Sequence, residues 1–355
     1  MDVTVLRPDE LTAADLGAWG AMQRATLALA NPFLASEFAR AVGHRRATAR
    51  VARLSEGGRI AGFFPFERHA LGSGKPIGSG FCDCQGLIHR PGLDWDPAEL
   101  LRACGLALWE YDHLTAGQTP FETAGTPRAR ASSPVMELDG GHHAYLERLR
   151  HKVVRTARSQ ERRLTRDVGP LRLDFHTPDP VLLDTLIRWK SDQQQSKGRR
   201  DILSRTWFLA ILRELFDLPS ESCSGTLSVL RAGEAPVAML YGLRSQEVYA
   251  TWFPAYDTRF AKYSPGILLH LKLAEAAAER GIVHIDMGKG TSRYKDALKT
   301  ADLSVTEGYV GRHTPAAMLC RLRMASDRTA HAAISANPRI HRAAVRAVGA
   351  VDRLR

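Results

Sequence analysis

The stretch 262–298, KYSPGILLHLKLAEAAAERGIVHIDMGKGTSRYKDAL, restricts the fold more than any other part of the chain. It reads as helix, turn, strand, loop and short helix. Ser264 suits a helix N-cap, and Pro265 the first helical position, where a missing N–H costs nothing. Ile267, Leu268, Leu271, Leu273, Ala274, Ala277 and Ala278 recur at helical spacing and form a broad apolar stripe. Gly281 stands where such a helix ends on a left-handed residue. Residues 282–286, IVHID, then read as a short buried strand. Gly288 and Gly290 break it, and Tyr294 and Lys295 follow on a helical turn.

Chemistry enters at the start of that helix. Its free amides and the positive end of its dipole suit a phosphate or pyrophosphate. Gly266 puts no side chain in the way of a ligand. Arg259 and Lys262 stand just before it, and Tyr256 and Asp257 a little earlier. The same residues also fit an ordinary Ser-Pro helix start beside a solvated basic loop, so this stretch alone leaves both readings open.

The residues before it add three strands, at 226–230, 236–243 and 248–256, joined by turns at Gly233-Glu234 and at 244–246. Three antiparallel strands, a phosphate-ready helix, a further strand and a Tyr-bearing segment: this order resembles the core of the GNAT acyltransferase superfamily. More narrowly, Ser264-Pro265-Gly266, the G-x-x-x-x-D-x-G-x-G run from Gly281 to Gly290, and Tyr294-Lys295 resemble the CelD-type acetyltransferases associated with bacterial cellulose and exopolysaccharide gene products. That family is similar in layout to the Fem-type aminoacyl transferases, which carry two GNAT-like domains. The usual GNAT pyrophosphate loop, Q/R-x-x-G-x-G/A, is absent: 259–266 holds one glycine and a proline.

The resemblance implies an α/β (α+β) chain with two tandem GNAT-like domains, built on mixed, mostly antiparallel sheets flanked by helices. The expected ranges are 1–138 for the first domain, 139–312 for the acyltransferase domain and 313–355 for a basic helical tail. The second range includes a basic interdomain helix over 142–166. At 355 residues the chain is long for one core and natural for two. With 44% hydrophobic and 25% charged residues it has a globular composition. No apolar run approaches the roughly 18–20 residues that span a bilayer, and MDVTVLRPDE has no apolar signal core. The five cysteines are odd in number and scattered, which suits reduced thiols, and Cys82-x-Cys84 is too isolated for zinc. The expectation is a cytoplasmic protein without a metal.

The net charge of +11 is concentrated. Residues 142–166 carry eight Lys or Arg against two Glu, and 312–355 nine Arg against two Asp, leaving the rest near neutral. Such segments meet nucleic acid, an anionic membrane or an anionic substrate, or are plain solvated helix faces. The spacing Lys152, Arg155, Arg158 resembles the basic interdomain helix of the Fem-like and CelD-like proteins. The tail permits peripheral contact with the inner face of a membrane, or packing on the second domain.

Taken in order, the chain predicts a strand at 2–6, a helix over 8–29 and a cap at Asn31. A hairpin of 47–54 with 60–67 comes next, then a glycine-rich loop at 72–80 that is neither a P-loop nor a dinucleotide fingerprint. A strand at 81–87, a helix over 98–110, a short strand at 112–114 and a crossover through 118–134 follow. Strands at 135–138 and 171–175 and helices over 180–195 and 202–216 come next. A closing strand at 304–309 and tail helices at 315–334 and 340–354 finish the chain.

Acyl transfer needs a base for the acceptor, a polarised carbonyl and a proton for the leaving thiolate. The resemblance gives Tyr294 the thiolate role, Lys295 a phosphate or oxyanion, and Asp286 that of base or acceptor anchor. It gives Tyr256, Arg259, Lys262, Ser264 and Gly266 to acetyl-CoA or another acyl-CoA. Asp83, Gln85, Lys190 and Arg200 become acceptor contacts. The implied acceptor is an amino or hydroxyl group on a sugar, sugar nucleotide or polysaccharide precursor. The alternatives are a Fem-type transferase using aminoacyl-tRNA, and a non-catalytic scaffold of a polysaccharide synthase. A Ser-His-Asp hydrolase is disfavoured, since G-x-S-x-G does not occur.

Overall fold

The computed structural model describes residues 1–198 and 201–336, with side chains through 326. Its strands are β1 (Asp2–Leu6), β2 (Ala49–Glu56), β3 (Arg59–Arg68), β4 (Ser73–Pro76), β5 (Ile88–His89), β6 (Leu108–Leu114), β7 (Thr126–Glu137), β8 (Leu171–Asp174), β9 (Ser224–Ala232), β10 (Ala235–Arg244), β11 (Val248–Tyr256), β12 (His284–Asp286) and β13 (Ala301–Gly311). The helices are α1 (Ala13–Arg24), α2 (Ser36–Gly43), α3 (Pro97–Ala103), α4 (Thr119–Ala124), α5 (Gly141–Arg148), α6 (His151–Asp167), α7 (Pro180–Ser196), α8 (Thr206–Phe216), α9 (Pro265–Ala278), α10 (Arg293–Leu298) and α11 (Pro315–Ala336).

The strands form one mixed, mostly antiparallel sheet flanked by helices, in the order β1-β2-β3-β4-β6-β13-β7-β12-β11-β10-β9-β8, with β5 on β3. The two halves trade strands at the centre. β13, late in the chain, pairs with β6, while β7, from the first half, pairs with β12. β7 and β13 lie side by side over most of their lengths.

α9 lays Leu268, Leu269, Leu273, Ala274 and Ala277 on one face of β10–β12, as its stripe requires. The other face carries α7 and α8 and joins the first half through a shared apolar core. In that core Trp252 of β11 meets Phe33 edge-on at 5.1 Å and Phe208 at 5.5 Å, and stacks with Phe81 at 6.3 Å. Burying one such ring is worth about 1.5–3 kcal/mol. An exposed pair such as Arg45 with Glu214 is worth about 0–1 kcal/mol. The aromatic cluster therefore fixes the halves against each other.

Several expected elements differ. The helix of 8–29 is only Ala13–Arg24, flanked by short 3-10 turns. The helix expected over 98–110 stops at Ala103, because Gly105 takes a left-handed φ of 66° one residue beyond the Cys104 cap. Residues 81–87 run as irregular chain, with an isolated bridge from Gln85 to Leu114 of β6 instead of a strand pairing. The crossover of 118–134 is instead α4 and the first part of the 12-residue β7. Its two prolines argue against a strand locally, but pairing on both sides outweighs propensity. The basic helix breaks between Arg148 and His151. There Leu149 turns extended and is buried, while the Tyr145 hydroxyl donates to the Leu298 carbonyl at 2.9 Å. α11 packs Cys320 and Met324 on Leu108 of β6, with Tyr309 of β13 against the same cluster. The helix expected over 340–354 lies outside the described residues.

Candidate active site

The start of α9 is held by local bonds. Asp257 accepts from the Arg259 amide at 2.9 Å and from its guanidinium at 2.6 and 2.9 Å. The paired guanidinium holds the Asp257 carboxyl below the usual range. Arg259 is therefore already matched, and its charge is not free as the sequence suggested. Lys262 lies 4.9 Å above the ring of Tyr263, whose hydroxyl donates to Asp167 at the end of α6. Ser264 was expected to cap through its hydroxyl; instead it is left-handed at φ 53° and its side chain makes no cap bond. A Cβ built on Gly266 would meet nothing within 4 Å, so the helix start is open to a ligand. Tyr256 is 37% exposed at the end of β11, and its carbonyl accepts from Gln193 of α7.

His270, one turn into α9, ties this region to α10. Its Nδ1 is 2.7 Å from the Gly266 carbonyl, which can only accept, so Nδ1 carries the proton. Burial lowers its pKa and keeps the ring neutral. The Tyr294 ring lies 5.3 Å away and is half-buried, which raises its phenol and keeps it protonated at neutral pH. His270 and Tyr294 thus stand together beside the open helix start.

β11 and β12 run parallel only over Val248–Ala250 and His284–Asp286. β11 continues to Tyr256 while β12 stops, and the sheet opens at Asp286. That carboxylate is buried, and both of its oxygens accept hydrogen bonds. Ser133 donates to it at 2.6 Å, the Gly288 amide at 2.9 Å and the Asn31 side chain at 3.2 Å. Asn31 also caps the Phe33 amide at 3.1 Å, so the expected cap does a second task across the halves.

Asp83 reaches the same place from the first half. It stands over Gly288, where an added Cβ would come within 3.2 Å of its Oδ2, and its Oδ1 is 3.6 Å from His113 Nε2. Burial raises its carboxyl to about 6; His113 opposes this and the Asp286 charge adds to it. Lys295 donates to the Gly288 carbonyl at 2.8 Å and to that of Lys289 at 3.2 Å. Burial lowers its pKa against the pull of Asp83 and Asp286. Lys289, which the sequence did not single out, donates to the Asp112 carbonyl and pairs with Glu307, closing the loop onto the first half.

Gln85 is committed inward. Its carbonyl accepts the amides of Asp112 and His113, both at 3.0 Å, and its amide donates to Asp112 at 2.6 Å and to the Cys82 carbonyl at 3.2 Å. It shapes the Asp83 loop and has no atom left for an acceptor. Lys190 lies away from Asp83 on α7, donating to the Pro254 carbonyl at 3.0 Å. Arg200 lies outside the described residues. The thiols of Cys82 and Cys84 are buried and pushed up, Cys84 to about 12, which makes them poor nucleophiles.

A cavity of about 370 Å³ opens beside Asp83 and Asp286. Ser133, Val135 and Glu137 of β7 and Ala301, Leu303 and Val305 of β13 line it from one sheet face, with Leu27, Asn31 and His284. Met136, which alternates with them, points to the α9 side. The cavity and α9 therefore lie on opposite faces of the sheet. No Lys or Arg lines the cavity.

Residues 151–296 match a family model described as "Acetyltransferase (GNAT) domain". That segment begins at the first residue of α6 and ends in α10, and so contains α9, Asp286, Tyr294 and Lys295. Over that segment the chain is similar to acetyltransferase domains. No curated protein matches the chain. Among solved structures the chain is similar to FemX, at 10% identity and a TM-score of 0.56, over 86% of this chain and 97% of that one. It is similar to L-PGS from Bacillus licheniformis, at 11% and 0.53, over 90% and 96%. It is also similar to the C-terminal domain of a putative lysylphosphatidylglycerol synthetase from Agrobacterium fabrum, at 12% and 0.52, over 80% and 90%. At such identities the likeness is one of fold.

Proposed function

We propose that this protein is an acyl-CoA-dependent acyltransferase whose acceptor enters the cavity between the halves. The observation that carries the reading is Asp83: a carboxyl raised to about 6, at the edge of a cavity, beside the opening of a GNAT-type sheet. Acyl-CoA fits the residues present, since Gly266 leaves the start of α9 open and Lys262 stands before it. When bound, it supplies a thioester carbonyl carbon and a sulfur leaving group.

Asp83 takes the proton from the acceptor as its nitrogen or oxygen bonds to that carbon. The carbon–sulfur bond breaks, and the Tyr294 hydroxyl gives the sulfur its proton. Asp286, held by three donors, anchors the loop and orients the Asp83 site; it is not the base. Lys295 fixes the Gly288–Lys289 backbone under Asp83. The carboxylates of Asp83, Asp286 and Glu137 disfavour a phosphate inside the cavity and suit an amino or hydroxyl group. The CelD-type resemblance makes that group part of a sugar or exopolysaccharide precursor.

A second reading is an aminoacyl transferase fed by charged tRNA. It is favoured by the exposed row Lys152, Arg155, Arg158 and Arg162 along α6 and by the fold shared with FemX. The deciding experiment is calorimetric titration of the protein and its Gly266→Asp variant with acetyl-CoA and CoA. Micromolar binding lost in the variant supports the first reading. No binding to acetyl-CoA, CoA or longer acyl-CoAs overturns it. Steeply salt-dependent binding of charged tRNA would then favour the second, and an inert but intact protein a scaffold.

A further inference from the structure

A second concavity lies against β4 and β6 of the first half. A cavity of about 420 Å³ separates the Ala70–Gly72 turn and β4 from α11. His69, Lys75 and Arg323 line it, beside Leu71, Leu319 and Met324. The carboxylates near it are engaged. Glu67 takes the Arg46 guanidinium at 2.7 Å and the Gly78 amide at 3.0 Å, and Glu110 pairs with Arg128 at 3.2 Å. Among the described residues Lys75 and Arg323 have no carboxylate partner. Leu71 holds a left-handed φ of 61°, unusual for leucine, and its side chain is 54% exposed beside the cavity.

α11 has two unlike faces. Ala317, Cys320 and Met324 are buried against the body. Met318, Leu319 and Leu322 are 59%, 49% and 61% exposed on the opposite side. By helical geometry Arg321 and Arg323 flank that apolar stripe on its two sides. The chain from 312 to 355 carries nine Arg against two Asp. A second copy of this chain would set those arginines against each other. The arginine-rich tail would meet like charge at Lys75 and Arg323.

We propose that this face docks on an anionic lipid leaflet. Met318, Leu319 and Leu322 enter the acyl boundary, Arg321 and Arg323 lie among headgroups, and the cavity at Lys75 and Arg323 takes one lipid phosphate. The site shares no lining residue with the cavity at Asp83 and is independent of the acyl-transfer reading. The test is co-sedimentation of the full chain with vesicles of phosphatidylcholine alone or mixed with phosphatidylglycerol. Binding is expected only to the mixed vesicles, weakening with salt. Met318→Glu with Leu322→Glu, and separately Lys75→Glu with Arg323→Glu, should each lower it at least about tenfold while leaving the thermal midpoint and acetyl-CoA titration unchanged. Equal binding to neutral vesicles, or none to either, overturns the proposal. So does vesicle binding that inorganic phosphate abolishes but the stripe variant keeps, which would mark a phosphate site alone. A concentration-dependent dimer that the stripe variant dissolves would assign the face to a second copy.

Discussion

The start of α9 and the groove at Asp83 are both needed for the proposed chemistry, yet they are built in opposite ways. The helix start is made within a few residues of chain: Asp257 holds Arg259, Ser264 turns left-handed, Pro265 begins the helix and Gly266 stays bare. It is exposed, and its charges are paired locally. The groove is made from residues far apart, with Asn31, Asp83, His113, Ser133 and Asp286 converging from both halves. It is largely buried, so each charge there is felt strongly. A local, solvated site binds; a non-local, desolvated one tunes a proton.

The sharpest test of that contrast is Asp83→Asn. Acyl transfer should fall by about 10²–10⁴, the range expected for a lost general base. In the wild type the rate should drop as pH falls below about 6, where Asp83 becomes protonated, and the variant should lose that limb. Its stability should move the other way. A carboxyl whose folded pKa is raised costs stability above about 6, and the cost fades as pH falls through 6 toward its unfolded value. At pH 7 the variant should gain about 1 kcal/mol, a figure reduced for its partial exposure. A variant that loses both activity and stability would make Asp83 structural.

Asp286→Ala should do the reverse. Three bonds to a buried carboxylate vanish, and unfolding in urea should show a loss of about 3 kcal/mol with an unchanged slope. Loss of activity with stability intact would restore Asp286 as a reacting group. Tyr294→Phe should lower kcat about 10–100-fold and leave KM little changed, because the ring against His270 is retained. A change in KM alone would make Tyr294 a binding residue. The smallest effect is expected for Arg259→Ala. CoA affinity measured by calorimetry should change less than about threefold, since Asp257 already engages that exposed guanidinium. A tenfold loss would mean that the helix start relies on Arg259 after all.

Legibility followed the same division. Strands β8 to β11, α9 and α10 were readable because each rests on a local pattern: a period of two, a period of 3.6, or Gly and Pro at the ends. The end of α3 is likewise marked locally, by Gly105. The end of β7 was readable at 135–138, but its first part, 126–134, was not, for its Ser, Arg, Gly-flanked start and two prolines carry little strand signal of their own. Nor was the break in the basic helix, which follows from docking Leu149 and Tyr145 against the body.

At the site, the sequence alone marked Asp83, Asp286, Tyr294 and Lys295, through a resemblance that rests on short motifs. Only the tertiary structure separated their parts. It bonded Asp286 into the loop, left Asp83 with a raised pKa, turned Gln85 inward and brought Asn31, His113, His270 and Lys289 into the neighbourhood. The physical reason is that a motif fixes which groups lie near one another along the chain. Burial and hydrogen bonding from distant strands decide which of them keeps a proton to exchange.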